Sequence, residues 1–308
     1  MQKLSLHISL VIMSKTIRLS TNVLSAIRLL LKNADYLNLS SEEDLWNINT
    51  SQINTSWLID VIKQCGWMAE SSRNTLELTD RGYMVIAGDA SAEETAFRVM
   101  LSDYIVAFCP VWCYRIPYGR SEATFMMSKD ERACFQEAGL LSDSPDDDIV
   151  KWWDSLSSII RKKQDDKKNN CGRSGEKMTL AYEEKRTGVK PKWMSIDSNL
   201  AGYDVLSQVS AEDSSKLLIE TKASELDLEN AFCHITLNEW RTATTAKKYL
   251  FYFWILGTTN QLATINVSQI TPYIPTNNLS GEWESVKIPF YSFKEFFQRI
   301  GGKEEESL

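Results

Sequence analysis

The run YLFYFWIL at residues 249–256 places eight aromatic or aliphatic side chains in succession with no polar break. Alternate residues of a strand face opposite sides, so this run hides both faces from water. It predicts a central strand in a sheet that is covered on both sides. A chain of 308 residues has room for such a layered core, as two domains or as one large one.

A second apolar run ends differently. Residues 217–224 read LLIETKAS, so Glu220 and Lys222 follow directly on three aliphatic residues. On a strand, residues i and i+2 share a face roughly 7 Å apart. Leu218, Glu220 and Lys222 therefore share one face, and Ile219, Thr221 and Ala223 the other. An ionised glutamate at the end of a buried strand is costly unless a divalent cation or a basic side chain such as Lys222 compensates it. The same triplet spacing occurs at Glu183-Glu184-Lys185 and Asp165-Asp166-Lys167. Those triplets read as helix and linker, where i and i+2 share no face or no geometry is set.

The surrounding pattern places this strand in an ordered series. GRSGEKMTLAYEEKRTG reads as a helix, with Ser174 as its N-cap and Gly188 as its stop. KWMSI, GYDVLSQV and KLLIETKA read as three strands, FCHIT as a short extended piece, and LNEWRTATTAKK as a helix opened by Asn238 and Glu239. With YLFYFWIL the order is helix, three strands, helix, strand. If the three strands form a meander, Asp204 lies beside Glu220. Two carboxylates on adjacent strands offer hard oxygen ligands suited to Mg²⁺ or Mn²⁺. A lysine beside them would orient water or offset charge on a phosphate. Glu183 lies two turns from Glu176 on the same helix face and is a possible substitute for it.

The N-terminal part is predicted to be helical. Ile53, Trp57, Leu58, Val61 and Ile62 fit one helix face. A turn at SSRN, alternating Leu76 and Leu78, and a cap at Thr79 or Asp80 follow. Helix, helix, two-stranded wing and the phrase LTDRG resemble a winged helix-turn-helix. Its second helix, residues 51–64, with Arg73 and Arg81, would contact DNA, or the module would pack against a partner protein. Leu6, Ile8, Leu10 and Ile12 alternate as a strand would, and Met13 is an alternative start to Met1. Residues 161–173, RKKQDDKKNNCGR, contain no aliphatic residue and read as a boundary or flexible connector. The expected division is a winged-helix-like domain at 1–90, a helical region and linker at 91–168, and an α/β domain at 169–300. The fold class is α+β overall.

The third part resembles the core of the PD-(D/E)xK nuclease superfamily, and more closely the DUF3883 family, related to the C-terminal domain of the plant protein NO VEIN. The resemblance rests on Gly175-Glu176, Trp193, Gly202-Tyr203-Asp204, Ile219-Glu220-Thr221-Lys222, Asn238-Glu239 and the aromatic strand from Tyr249. It implies a restriction-endonuclease-like fold that cleaves DNA with Mg²⁺ or Mn²⁺. Asp204 and Glu220 would be the metal ligands, Lys222 the catalytic lysine, and Glu176 the helix carboxylate that helps hold the metal or its water. It further implies a component of a bacterial defence or restriction system, with DNA and a partner protein of that system as partners. The contrasting expectation is a non-catalytic regulatory subunit that binds nucleic acid or a partner protein; on either reading a homo-oligomer is a further candidate assembly.

Charge bears on the same question. The whole chain carries −7, against a general nucleic-acid coat. Residues 161–192 nevertheless hold eleven Lys or Arg against five acids, a local basic stretch that could follow a phosphate backbone. The six cysteines are scattered with no CxxC pair and the histidines are only two, His7 and His234, which argues against a structural zinc site with its four close ligands. The expected compartment is cytoplasmic, with reduced thiols, no signal peptide and no membrane span.

Overall fold

The structure is a computed structural model that describes residues 19–37, 41, 45, 55–72, 75–88, 92–198, 200–277 and 281–300. The alternating segment 6–12, both candidate start methionines, His7, Ile53 and Arg73 lie outside the described residues. The chain forms two compact units, residues 1–164 and 165–308.

The first unit is mainly helical. It contains α1 (Thr21–Leu37), α2 (Thr55–Gln64), a hairpin of β1 (Met68–Glu70) and β2 (Leu76–Leu78), then α3 (Asp80–Ile86). Met68 pairs with Leu78, and Glu70 with Leu76. Thr79 caps α3 by accepting from the Gly82 N–H. Gly82 is required there, since a Cβ would lie 2.1 Å from the Trp67 carbonyl oxygen. Next come α4 (Glu93–Phe108), a 3₁₀ segment (Val111–Tyr118), α5 (Arg120–Met126) and α6 (Lys129–Glu137). These share one apolar core with α1 to α3, in which Leu30, Val85, Phe97, Phe135 and Trp153 are buried. The division expected at residue 90 is therefore not a break in the core.

The largest departure from expectation is α7, a continuous helix from Asp147 to Thr187. Residues 161–173 lie inside it and form no flexible connector. Polar residues without Pro suffer little helix penalty, and a helix needs no apolar face where it is exposed. Ser174 therefore caps nothing; its hydroxyl bonds back to the Asn170 carbonyl at 2.9 Å. The predicted stop at Gly188 holds, with φ +72°.

The second unit is built on a six-stranded sheet in the order β10-β8-β7-β5-β4-β3. The strands are β3 (Lys192–Trp193), β4 (Val205–Gln208), β5 (Lys216–Ser224), β7 (Tyr249–Ile255), β8 (Asn260–Asn266) and β10 (Phe297–Ile300). The short helix α8 (Met194–Asp197) separates β3 from β4, and α9 (Leu237–Thr245) precedes β7. Strands β3, β4 and β5 form the expected antiparallel meander, and β5 and β7 are parallel. The piece FCHIT is β6 (Phe232–Thr236), paired with β9 (Ser285–Pro289) in a separate ribbon.

Both faces of the sheet are covered, as the YLFYFWIL run requires. Tyr252 and Trp254 pack with Ile219 and with Met178 and Tyr182 of α7. Tyr249, Phe251 and Phe253 pack on the other face with Ala243 of α9, Ile235 of β6 and Phe290.

Candidate active site

Asp204 stands one residue before β4 and is pinned from both sides. Its carbonyl accepts from the N–H of Met194 at 2.7 Å and of Ser195 at 3.2 Å. Its own N–H donates to the Ile219 carbonyl at 2.9 Å. Its Oδ2 accepts from the Thr221 backbone N–H at 2.9 Å, which fixes the carboxylate beside β5. The turn before it needs Gly202, at φ +74°, where a Cβ would lie 2.2 Å from Thr242 Oγ1.

Glu220 and Lys222 share the β5 face that looks toward α9, as strand alternation predicts. Lys222 Nζ lies 2.8 Å from Glu220 Oε1 and 3.0 Å from Glu239 Oε2. Glu220 is only 4% exposed. Glu239 sits at the third position of α9, where it also accepts from the Thr236 backbone N–H at 2.9 Å. Thr236 returns the bond by accepting from the Glu239 N–H, completing a capping box. Sequence reading assigned Glu239 to the start of this helix; its contact with Lys222 depends on a strand 17 residues earlier.

The cluster is electrostatically tense. Burial, reinforced by Glu176 and Glu239, pushes the Asp204 carboxyl up to about 6, even though the Thr221 N–H and Lys222 act against it. Burial also raises Glu220 well above the usual carboxylate range, and Asp204 and Glu239 add to this against the opposing pull of Lys222. Burial alone would lower Lys222, yet Glu220 and Glu239 together hold it above the usual lysine range. The ammonium is therefore charged, while two carboxylates near it resist ionisation. A bound cation is the species that would relieve them.

Glu176 belongs to a neighbouring cluster. It lies within α7, about eight turns from that helix's start, so the first-turn position implied by a helix beginning after Ser174 does not apply. Its Oε2 accepts from Arg173 Nη1 at 2.9 Å and from the Trp193 indole and the Ser195 hydroxyl. The Arg173 guanidinium also lies over the Trp193 ring, 5.6 Å from its centroid. Glu176 is close enough to raise Asp204. The helix reaches the sheet so closely because residue 175 is glycine: a Cβ there would lie 2.5 Å from Ala223 Cβ.

Three other expected groups have partners within the protein. Glu183 is no substitute for Glu176. It is fully buried and locked to Arg186 at 2.8 and 2.6 Å and to the Tyr252 hydroxyl at 2.7 Å. Arg81 stays partly exposed, with Asp103 engaging it at 2.8 Å from both Nε and Nη2. The basic stretch 161–192 is partly consumed internally: Arg161 bonds the Pro117 carbonyl, Lys167 pairs with Glu225, Arg173 with Glu176, Arg186 with Glu183 and Lys192 with Asp197.

Asp204 and Glu220 are hard oxygen donors held on adjacent strands, a chemistry that fits Mg²⁺ or Mn²⁺. Among the described residues no group of three or more His, Cys, Asp or Glu side chains is assembled as a ready-made metal cage. Water and a phosphate oxygen would have to complete the coordination shell, as Mg²⁺ commonly requires. A cleft of about 790 Å³ in the same unit is lined by Arg186, Lys247, Lys248, Tyr249 and Asn266 and by none of Glu176, Asp204, Glu220 or Lys222. The carboxylate–lysine cluster remains the stronger candidate, because the strongly perturbed acids and the lysine are gathered there.

All six cysteines are free thiols. Among the described residues no single helix is long and apolar enough to cross a membrane. No curated protein and no solved structure matches the chain. Residues 175–265, which carry the whole carboxylate–lysine cluster, match the family model described as Protein NO VEIN, C-terminal, and this part of the chain is a domain similar to that one.

Proposed function

We propose that the second unit is a restriction-endonuclease-like, Mg²⁺- or Mn²⁺-dependent phosphodiesterase that cuts DNA. The observation that carries this reading is the placement of Asp204 and Glu220 on paired strands with Lys222 on the same face as Glu220. Asp204 and Glu220 would hold the cation. When bound, the cation supplies a Lewis acid for the phosphoryl oxygen and lowers the pKa of its water. Lys222 keeps its proton beside Glu220 and offers positive charge to a phosphate oxygen as charge builds there. Glu176, braced by Arg173, Trp193 and Ser195, adds negative charge next to Asp204 and would help hold the metal or its water.

The first unit would supply targeting. Helix α2 and the β1–β2 hairpin would belong to a winged-helix-like module that contacts DNA or a partner protein of a bacterial defence system. A cytoplasmic setting fits six free thiols.

A second reading has one observation in its favour. Lys222 is already satisfied by two carboxylates without any ligand. A non-catalytic module that binds nucleic acid or a partner, as a regulator or a homo-oligomer, would keep such a triad for structure alone.

Supercoiled plasmid incubated with the purified chain and Mg²⁺ or Mn²⁺ separates the two. Nicking that disappears in both Asp204→Ala and Lys222→Ala supports the enzyme. DNA binding without cleavage at either metal, unchanged by both substitutions, supports the regulator.

A further inference from the structure

An ammonium group has three N–H donors. In Lys222 two of them go to carboxylates on different elements: Glu220 Oε1 at 2.8 Å, on its own strand, and Glu239 Oε2 at 3.0 Å, on α9. Two such bonds from different elements fix the amine, and the third N–H then has a set direction. The side chain is only 16% exposed, so the surrounding packing restricts it further.

Glu239 is itself fixed. Its Oε2 takes the Lys222 ammonium and the Thr236 backbone N–H at the same time. The carboxylate therefore couples the N-terminus of α9 to the amine. A glutamate needed only for the capping box would not have to face a lysine on a strand.

We infer that Glu239 is a positioning residue for Lys222. It draws the ammonium partly away from Glu220 and aims the remaining N–H at an acceptor over Asp204 and Glu220. Without its charge, Lys222 has Glu220 as its one carboxylate partner at hydrogen-bond distance. The amine then competes with a cation for that carboxylate. The inference rests on the nuclease reading for its consequence in catalysis, but the Lys222–Glu239 coupling stands on the geometry alone.

Two substitutions separate capping from positioning. Gln is accepted at the third helix position of a capping box, so Glu239→Gln keeps the cap and removes the charge. Thr236→Val removes the side-chain half of the cap and keeps the charge. Each is measured by thermal melting, by calorimetric titration with MnCl₂ alone, and by plasmid nicking over a series of Mg²⁺ concentrations.

Glu239→Gln is expected to melt near the parent, to bind Mn²⁺ several-fold more weakly, and to nick at least tenfold more slowly with unchanged KM for DNA. Thr236→Val is expected to melt lower while keeping Mn²⁺ affinity and nicking rate. Parental metal binding and nicking in Glu239→Gln would overturn the inference. So would losses in the two variants that simply track their melting temperatures. If the parent neither binds Mn²⁺ nor nicks, the nuclease reading fails, and a melting cycle of Lys222→Met with Glu239→Gln still decides the coupling. Non-additive shifts support the clamp; additive shifts overturn it.

Discussion

The backbone N–H of Thr221 donates to the carboxylate of Asp204 at 2.9 Å, across the pairing of β4 with β5. This bond brings a carboxylate from one strand to the residue between Glu220 and Lys222 of the next. Burial nevertheless raises the Asp204 carboxyl to about 6, although this bond acts against the rise.

Asp204→Asn should therefore stabilise the protein while abolishing any cleavage. The unfolded carboxyl ionises near its ordinary value of 3.8, the folded one near 6. Between those values the folded state holds more protons, so stability falls as pH rises, and above about pH 6 the cost is constant. Asn keeps an oxygen for the Thr221 N–H and carries no charge. At pH 8 the gain is at most on the order of 3 kcal/mol, read as a higher melting temperature. A melting temperature at or below the parent's at pH 8 would contradict the burial cost assigned here.

Arg186→Met should have the opposite effect. Glu183 is fully buried, and burial pushes its carboxyl up, but hydrogen bonds from Arg186 and Tyr252 bring it below the ordinary value. Removing the guanidinium strands that charge, at a cost of about 3–5 kcal/mol for a broken buried pair. Chemical denaturation would show a lower midpoint. The pH dependence follows the depressed carboxyl: its contribution is present above the ordinary value of 4.5 and is lost as pH falls through the folded value. The acid limb of the parent's melting profile should flatten in Arg186→Met.

Two glycines of α7 should respond differently to alanine. At Gly175 a Cβ would meet Ala223 at 2.5 Å, and overpacking of this kind costs about 1–3 kcal/mol. The strain falls on β5, so nicking should drop along with stability. Gly172 has no atom within 4 Å of an added Cβ. Gly172→Ala should stabilise the helix by up to about 1 kcal/mol and leave nicking unchanged. Equal melting shifts in the two variants would argue against the close helix–strand contact.

Arg81→Ala should lower the stability of the first unit without weakening DNA binding. Its guanidinium is partly exposed and held by Asp103, which also accepts from the Trp67 indole at 2.8 Å. The expected loss is about 1 kcal/mol, discounted for solvent. Gel-shift titrations in which Arg81→Ala loses affinity at unchanged melting temperature would restore a phosphate-contact role.

Much of the second unit was legible because its signals are local. Period-two alternation put Glu220 and Lys222 on one face, and the unbroken YLFYFWIL run required a covered central strand, which β7 is. The Gly188 stop and the opening of α9 by Glu239 depend on neighbouring backbone groups and were also readable. The polar stretch 161–173 was misread, because absence of aliphatic residues signals exposure and not loss of helix. The roles of Glu183 and Arg81 were illegible for a related reason: their partners, Tyr252 and Asp103, lie 69 and 22 residues away.

Side-chain periodicity, glycine placement and the order of elements are written in the chain itself, since each is set by interactions within a few residues. That order alone put two acids and a lysine within reach of one another. Which charges are shared was decided only when strands, helix and cap came together. Glu239 faces Lys222, the Tyr252 hydroxyl turns to Glu183, and Asp204 is forced toward neutrality because burial and long-range Coulomb forces act through space, independent of separation along the backbone.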